Sequence, residues 1–147
     1  MKTTTHPFAV LRLDHVVLRV RDLAASETFY RAVLGCVVAK RRDDLGLVHL
    51  RAGASMIDLV SLAGVLGRKG GVGPGAEGRN VDHVCLRIEP FDPARINEHL
   101  ATMGLPPCPP AQINFGAEGD GPAMYLADPD GNTIELKGPA SARTAGS

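Results

Sequence analysis

The eight residues Leu13–Val20, LDHVVLRV, return later in the chain as Val81–Ile88, VDHVCLRI. At this offset of 68 positions, from 13 to 81, Asp14 matches Asp82, His15 matches His83, Leu18 matches Leu86 and Arg19 matches Arg87. A second phrase lies downstream of each copy: Met56–Val60, MIDLV, and Thr133–Lys137, TIELK, 77 positions apart from 56 to 133, align Asp58 with Glu135. A chain with such internal similarity is constrained to build one unit twice. Each copy then supplies one histidine near its start and one carboxylate near its end, and two histidines with two carboxylates form a donor set for a divalent metal.

Local patterns give the unit its shape. Period-two alternation puts Leu13, His15, Val17 and Arg19 on one face of a first strand, with Asp14, Val16, Leu18 and Val20 on the other. Asp22 is placed to cap a helix whose apolar stripe reads Ala25, Phe29, Ala32 and Val33, and Gly35 to end it. Cys36–Lys40, Leu47–Arg51 and Met56–Leu62 read as strands, with turns at 41–44 and 52–55. In the second copy Asp92-Pro93 opens a helix, Ile96, Leu100 and Met103 form its stripe, and Gly104 closes it. Pro122–Ala127 and Thr133–Lys137 follow as strands around a turn at 128–132, where Pro129 presets φ and Gly131 accepts a positive value. The extra residues of the second copy fall at 106–121, which reads as irregular. The expected architecture is α+β: two βαβββ modules, residues 11–63 and 80–138, whose sheets curl around a metal-binding cleft. A flexible glycine-rich linker at 64–79 joins them, and the first ten residues and the tail at 139–147 are expected to be mobile and disordered.

Composition narrows the partners. A chain of 147 residues suits one domain or two small modules sharing a core. Sixteen basic and sixteen acidic residues cancel, so there is no general attraction to nucleic acid or an anionic membrane, and a small molecule is the expected partner. Three cysteines without a C-x-x-C pair argue against a disulfide framework, and the cytoplasm is the expected compartment. There is no apolar run near the ~18 residues of a membrane span, nor a signal-peptide core in MKTTTHPFAV. The linker completes neither phosphate-loop spacing, leaving Arg68 and Lys69 as plain linker residues or contacts to an anionic ligand. Cys85 falls on the cleft face and reads as packing; His49 lacks a repeat partner, His6 falls in a mobile end and His99 beside the helix stripe, and all three read as non-catalytic.

If the faces carrying His15, Asp58, His83 and Glu135 line one cleft, four N₂O₂ donors can hold a first-row ion with room for water or substrate. Four ionisable groups buried without an ion or close partners would be costly.

The stretches LDHVVLRVRDLAASETFYRAVLG at 13–35 and YLADPDGNTIEL at 125–136 carry a resemblance to the vicinal oxygen chelate superfamily. That group includes glyoxalase I, methylmalonyl-CoA epimerase, extradiol dioxygenases, and the fosfomycin and bleomycin resistance proteins. The resemblance implies metal ligands at His15, Asp58, His83 and Glu135 for a divalent ion (Ni, Zn, Mn, Co or Fe). It further implies a glyoxalase I-like lyase or isomerase, with Glu135 or Asp58 moving a proton, and a homodimer. Bacterial glyoxalase I has glutamate where this chain has the shorter Asp58. Arg19 matches an arginine that holds substrate there, with an ion pair across the cleft as the alternative; Arg87 reads as an ion pair. Without Asp58 the remaining triad resembles that of Fe(II) extradiol dioxygenases, where Tyr125 matches a tyrosine near the site, with plain packing as its alternative. A drug-binding module like the bleomycin resistance proteins is the non-enzymatic reading, and the 4% aromatic content and absence of tryptophan weigh against it.

Overall fold

Residues 6–141 are described by the computed structural model. Two four-stranded sheets are each built by the same strand–helix–three-strand order. The first contains β1 (His15–Val20), α1 (Leu23–Ala32), β2 (Val37–Arg42), β3 (Leu47–Ala52) and β4 (Ser55–Ser61), with a short 3₁₀ turn at Asp43–Leu45. The second contains β5 (His83–Arg87), α2 (Pro93–Thr102), β6 (Gln112–Gly116), β7 (Gly119–Ala127) and β8 (Thr133–Lys137). Spatial order is β1-β4-β3-β2 in one sheet and β5-β8-β7-β6 in the other. In both, the first strand runs parallel to the last and the other pairings are antiparallel.

Both helices start as their caps dictate: the Asp22 carboxylate accepts from the Ala25 amide and the Asp92 carboxylate from the Arg95 amide. Gly35 and Gly104 close them at φ of 74° and 71°, the left-handed region where a side chain would be strained. The face that α1 buries differs from the expected stripe. Ala25 and Ala32 are exposed, and Ser26, Phe29 and Tyr30 are buried. The reason is polar: the Ser26 hydroxyl donates to Asp130 and the Tyr30 hydroxyl to Asp128, both in the turn before β8.

Residues 106–121 are a second departure, since they contain β6 and the start of β7 rather than irregular chain. Arg41 and Arg42, read as turn, extend β2. The glycine-rich linker is also ordered. Arg19 donates to the carbonyls of Gly67, Gly71 and Val72, and a side chain at Gly67 would lie 1.8 Å from the Ser61 carbonyl oxygen. Residues 6–13 form no helix or strand, and Ser141 donates its amide to Asp120. The expectations for residues 1–5 and 142–147 fall outside the described residues.

One apolar core serves both modules. Leu18, Val20, Phe29, Tyr30, Leu50, Ile57 and Leu59 of the first pack with Ile134 and Leu136 of β8. Leu100, Cys108 and Met124 form a smaller cluster under α2. Because strand residues alternate, burial of Leu18, Ile57, Ile134 and Leu136 on this side turns the alternate residues of the same strands to the opposite face.

Candidate metal centre

Register decides which ionisable groups meet on that opposite face. In the first sheet Val17 pairs with Asp58, so His15 lies two residues from the partner of Asp58; in the second Cys85 pairs with Glu135 and His83 holds the equivalent place. The His15 Nε2 is 4.0 Å from Asp58 Oδ2, and the His83 Nε2 is 3.4 Å from Glu135 Oε1. Neither contact is a hydrogen bond. Asp58 and Glu135 are each 5% exposed, so two carboxylates are withdrawn from water beside two imidazoles.

Each imidazole is oriented by the residue before it. The His15 Nδ1 sits 2.8 Å from the Asp14 carboxylate and the His83 Nδ1 2.7 Å from that of Asp82. A proton held at Nδ1 leaves the Nε2 lone pair directed toward the buried carboxylate, the arrangement by which a carboxylate fixes the tautomer of a metal-binding histidine. The Asp14 hydrogen bond raises the His15 pKa, followed by the charge of Asp58, and the same kinds of contact lower Asp14 and Asp82. The repeated Asp-His dipeptide was the signal for this pair of braces.

Glu135 is held from two further sides. Its Oε1 accepts from the Tyr125 hydroxyl at 2.8 Å and its Oε2 from the Cys85 thiol at 3.2 Å. The Asn114 amide donates to the Tyr125 oxygen at 2.6 Å. Tyr125 is therefore part of a polar network and not a packing residue alone. Its pKa is raised, first by the bond to Glu135; burial and then Glu135 push the Cys85 thiol up to about 11, which keeps it protonated and a donor. In the first sheet His49 stands opposite Asp58 as Tyr125 stands opposite Glu135. His49 Nδ1 lies 2.9 Å from Asp58 Oδ1, at ion-pair distance but without hydrogen-bond geometry, so a histidine with no repeat partner in the sequence stands beside the buried carboxylate.

The two half-sites remain separate within one chain. Among the described residues no three histidine, cysteine or carboxylate side chains are grouped as a metal site. A cavity of ≈ 700 Å³ is nevertheless lined by both His15 and His83, together with Cys85 and the apolar Leu34, Val84 and Leu86. The arginines are largely committed elsewhere: Arg19 to the linker carbonyls, and Arg87 to ion pairs with Glu118 and Glu89.

The fold has relatives among solved structures. A protein from the mobile metagenome of V. pseudocholerae shares 25% identity at a TM-score of 0.68, over 92% of this chain and 100% of its own. Lactoylglutathione lyase from Agrobacterium tumefaciens shares 22% identity at 0.60, over 88% of this chain and 95% of its own. A variant of the fosfomycin resistance protein FosX from Listeria monocytogenes, in complex with Mn(II) and dihydroxypropylphosphonic acid, shares 17% at 0.63, over 88% and 90%. The sequence family described as Glyoxalase/Bleomycin resistance protein/Dioxygenase superfamily matches residues 12–136, and with nearly the whole described chain inside that match, the protein belongs to this superfamily.

Proposed function

We propose that the chain is a metal-dependent lyase or isomerase of the glyoxalase I type, acting on a small substrate with adjacent oxygens. The observation that carries this reading is the duplicated half-site: twice, an aspartate-braced histidine presents Nε2 to a buried carboxylate from the same register position. The donor chemistry fits a divalent ion (Ni, Zn, Mn, Co or Fe). Asp58 Oδ1 is buried without a hydrogen-bond partner, with His49 Nδ1 at ion-pair distance but out of hydrogen-bond geometry, and a buried anionic oxygen of this kind is stabilised by a cation.

His15, Asp58, His83 and Glu135 would hold the ion. A homodimer that sets the first module of one copy against the second module of the other supplies a way for the halves to meet, since His15, Val17, His83 and Cys85 lie exposed on the cleft faces. When bound, the ion supplies Lewis-acid stabilisation of negative charge developing on adjacent substrate oxygens. Glu135 carries the proton between neighbouring carbons, with Tyr125 and Cys85 fixing both of its oxygens. Asp58 is the second candidate for that transfer. Tyr125 also offers a hydroxyl to substrate, and Arg19 a guanidinium if the linker lets go of it.

The test is metal content of the purified protein and of His83→Ala, followed by assay with methylglyoxal–thiol adducts. Retained Ni, Zn, Mn or Co that the variant loses, with turnover of the adduct, is the expected result. Oxygen uptake on catechols with Fe(II) bound would transfer the assignment to an extradiol dioxygenase. No divalent ion after reconstitution would refute the metal reading and leave a binding module.

A further inference from the structure

We infer that Arg87 and Lys137 form an oxyanion subsite beside the second half-site, filled at rest by the chain's own Glu118; its use by a substrate rests on the function proposed above. The two cations stand side by side. Arg87 is the register partner of Lys137 as Cys85 is of Glu135, on neighbouring strands about 4.8 Å apart. Period two carries both onto the face that holds Cys85 and Glu135, and Arg87 lines the same cavity as His15 and His83.

Lys137 is not a surface lysine. It is 5% exposed, and its ammonium donates to the neutral Gly119 carbonyl at 3.0 Å. A buried ammonium answered by a neutral oxygen keeps its attraction for an anion. Two glycines keep its course across the β6–β7 hairpin clear: a side chain at Gly116 would meet Lys137 Cε at 2.8 Å, and one at Gly121 would meet Nζ at 3.0 Å. The same hairpin supplies an anion. Glu118, in the turn between the two strands, accepts from Arg87 Nε at 2.8 Å and from Nη2 at 3.5 Å, while Nη2 also donates to Glu89 at 2.6 Å. A carboxylate and the carbonyl of the next residue thus meet the two cations together, an internal copy of what an oxyanion with a neighbouring oxygen would present. The Glu118 side chain is 54% exposed, so a carboxylate, phosphate or phosphonate group can replace it on Arg87 without disturbing the core. The substrate class that follows is a small molecule whose adjacent oxygens lie next to such a group.

The experiment titrates inorganic phosphate into the full chain, first stripped of metal by chelation and desalting, at fixed pH and ionic strength. Backbone amide and arginine Nε–H shifts are followed by NMR. Wild type, Glu118→Gln, Arg87→Ala and Lys137→Met are compared, with circular dichroism melts confirming that each is folded. Saturating shifts should centre on residues 116–121 and Arg87. Glu118→Gln, freed of the internal competitor, should bind at least about threefold tighter than wild type, within what an exposed ion pair is worth. Arg87→Ala and Lys137→Met should bind about tenfold or more weakly, the loss expected for a charged hydrogen bond. Arg87, being partly exposed, decides the matter if Lys137→Met does not fold. Equal affinity in wild type and Glu118→Gln, undiminished affinity in Arg87→Ala, or shifts centred elsewhere would overturn the inference and leave an ordinary surface ion pair. Because no metal is present, the two readings fail separately: phosphate binding of this pattern in a chain that takes up no divalent ion keeps the subsite and refutes the lyase or isomerase, and a metal-binding chain indifferent to phosphate does the reverse.

Discussion

Tyr30→Phe probes the contact that ties the first helix to the second module. The Tyr30 side chain is fully buried, and its hydroxyl donates at 2.7 Å to Asp128 Oδ2. The Asp128 carboxylate also accepts from the Asn132 side-chain amide at 2.8 Å and from the backbone amides of Asp130 and Asn132 at 2.9 and 2.8 Å. The variant keeps the ring and its packing and removes one of four donors to a buried charge, which costs about 1.5–3 kcal/mol. At about 2–4 °C per kcal/mol for a chain of this size, melting should fall by about 3–12 °C. Urea unfolding should show the same loss with an unchanged slope. In the Asp128→Asn background Tyr30→Phe should cost at least about 1 kcal/mol less, because the charged acceptor is already gone. A loss below about 0.5 kcal/mol, or the same loss in both backgrounds, would refute this account of the contact. The pH dependence has a fixed sign. Burial, then the Asp128 charge, raise the Tyr30 pKa, so the folded chain keeps a proton that the unfolded chain releases near pH 10. This contribution is complete below about pH 10 and is lost as pH rises above it, by up to ~1.4 kcal/mol per unit; Tyr30→Phe should unfold with a correspondingly weaker alkaline slope.

Other perturbations are as direct. Gly67→Ala places a methyl group against the Ser61 backbone and should lower stability by at least about 2 kcal/mol, read as a melting shift. Arg19→Ala removes three bonds to the linker, so limited proteolysis should cut within 67–72 faster than in wild type while the melting point changes less than in Tyr30→Phe. Assayed at saturating metal, Glu135→Gln should reduce kcat about 10²–10⁴-fold on the substrate found and should also bind the metal more weakly; an unchanged kcat would remove Glu135 from the proton transfer.

How far the sequence could be read follows from where each feature's cause lies. The first and last strands of each module were legible, because repeat position and period two act within short segments, whereas the nearness of His15 to Asp58 and of His83 to Glu135 inside one module follows from strand register, which the repeat does not specify. The buried face of α1 was not, since Ser26 and Tyr30 are held by acceptors about a hundred positions away in the turn before β8. Strand β6 was hidden by the prolines around it, although Gln112-Ile113-Asn114-Phe115 alternates as a strand should. Glycine content suggested a loose linker, while its order comes from Arg19, roughly fifty positions upstream. His49 carried no signal of its place, because neither repeat offset gives it a partner and only the hairpin register sets it opposite Asp58 as Tyr125 is set opposite Glu135.

The shared core bears on how such a chain fails. Ile134 and Leu136, near the C-terminal end of the described residues, are packed among side chains from its first sixty residues. Either module standing alone would need a core of its own, since here the two share one. A chain interrupted during synthesis before β8 therefore holds no finished half; it presents Leu18, Ile57 and Leu59 without their last partners, a surface that invites capture by chaperones or by its own kind.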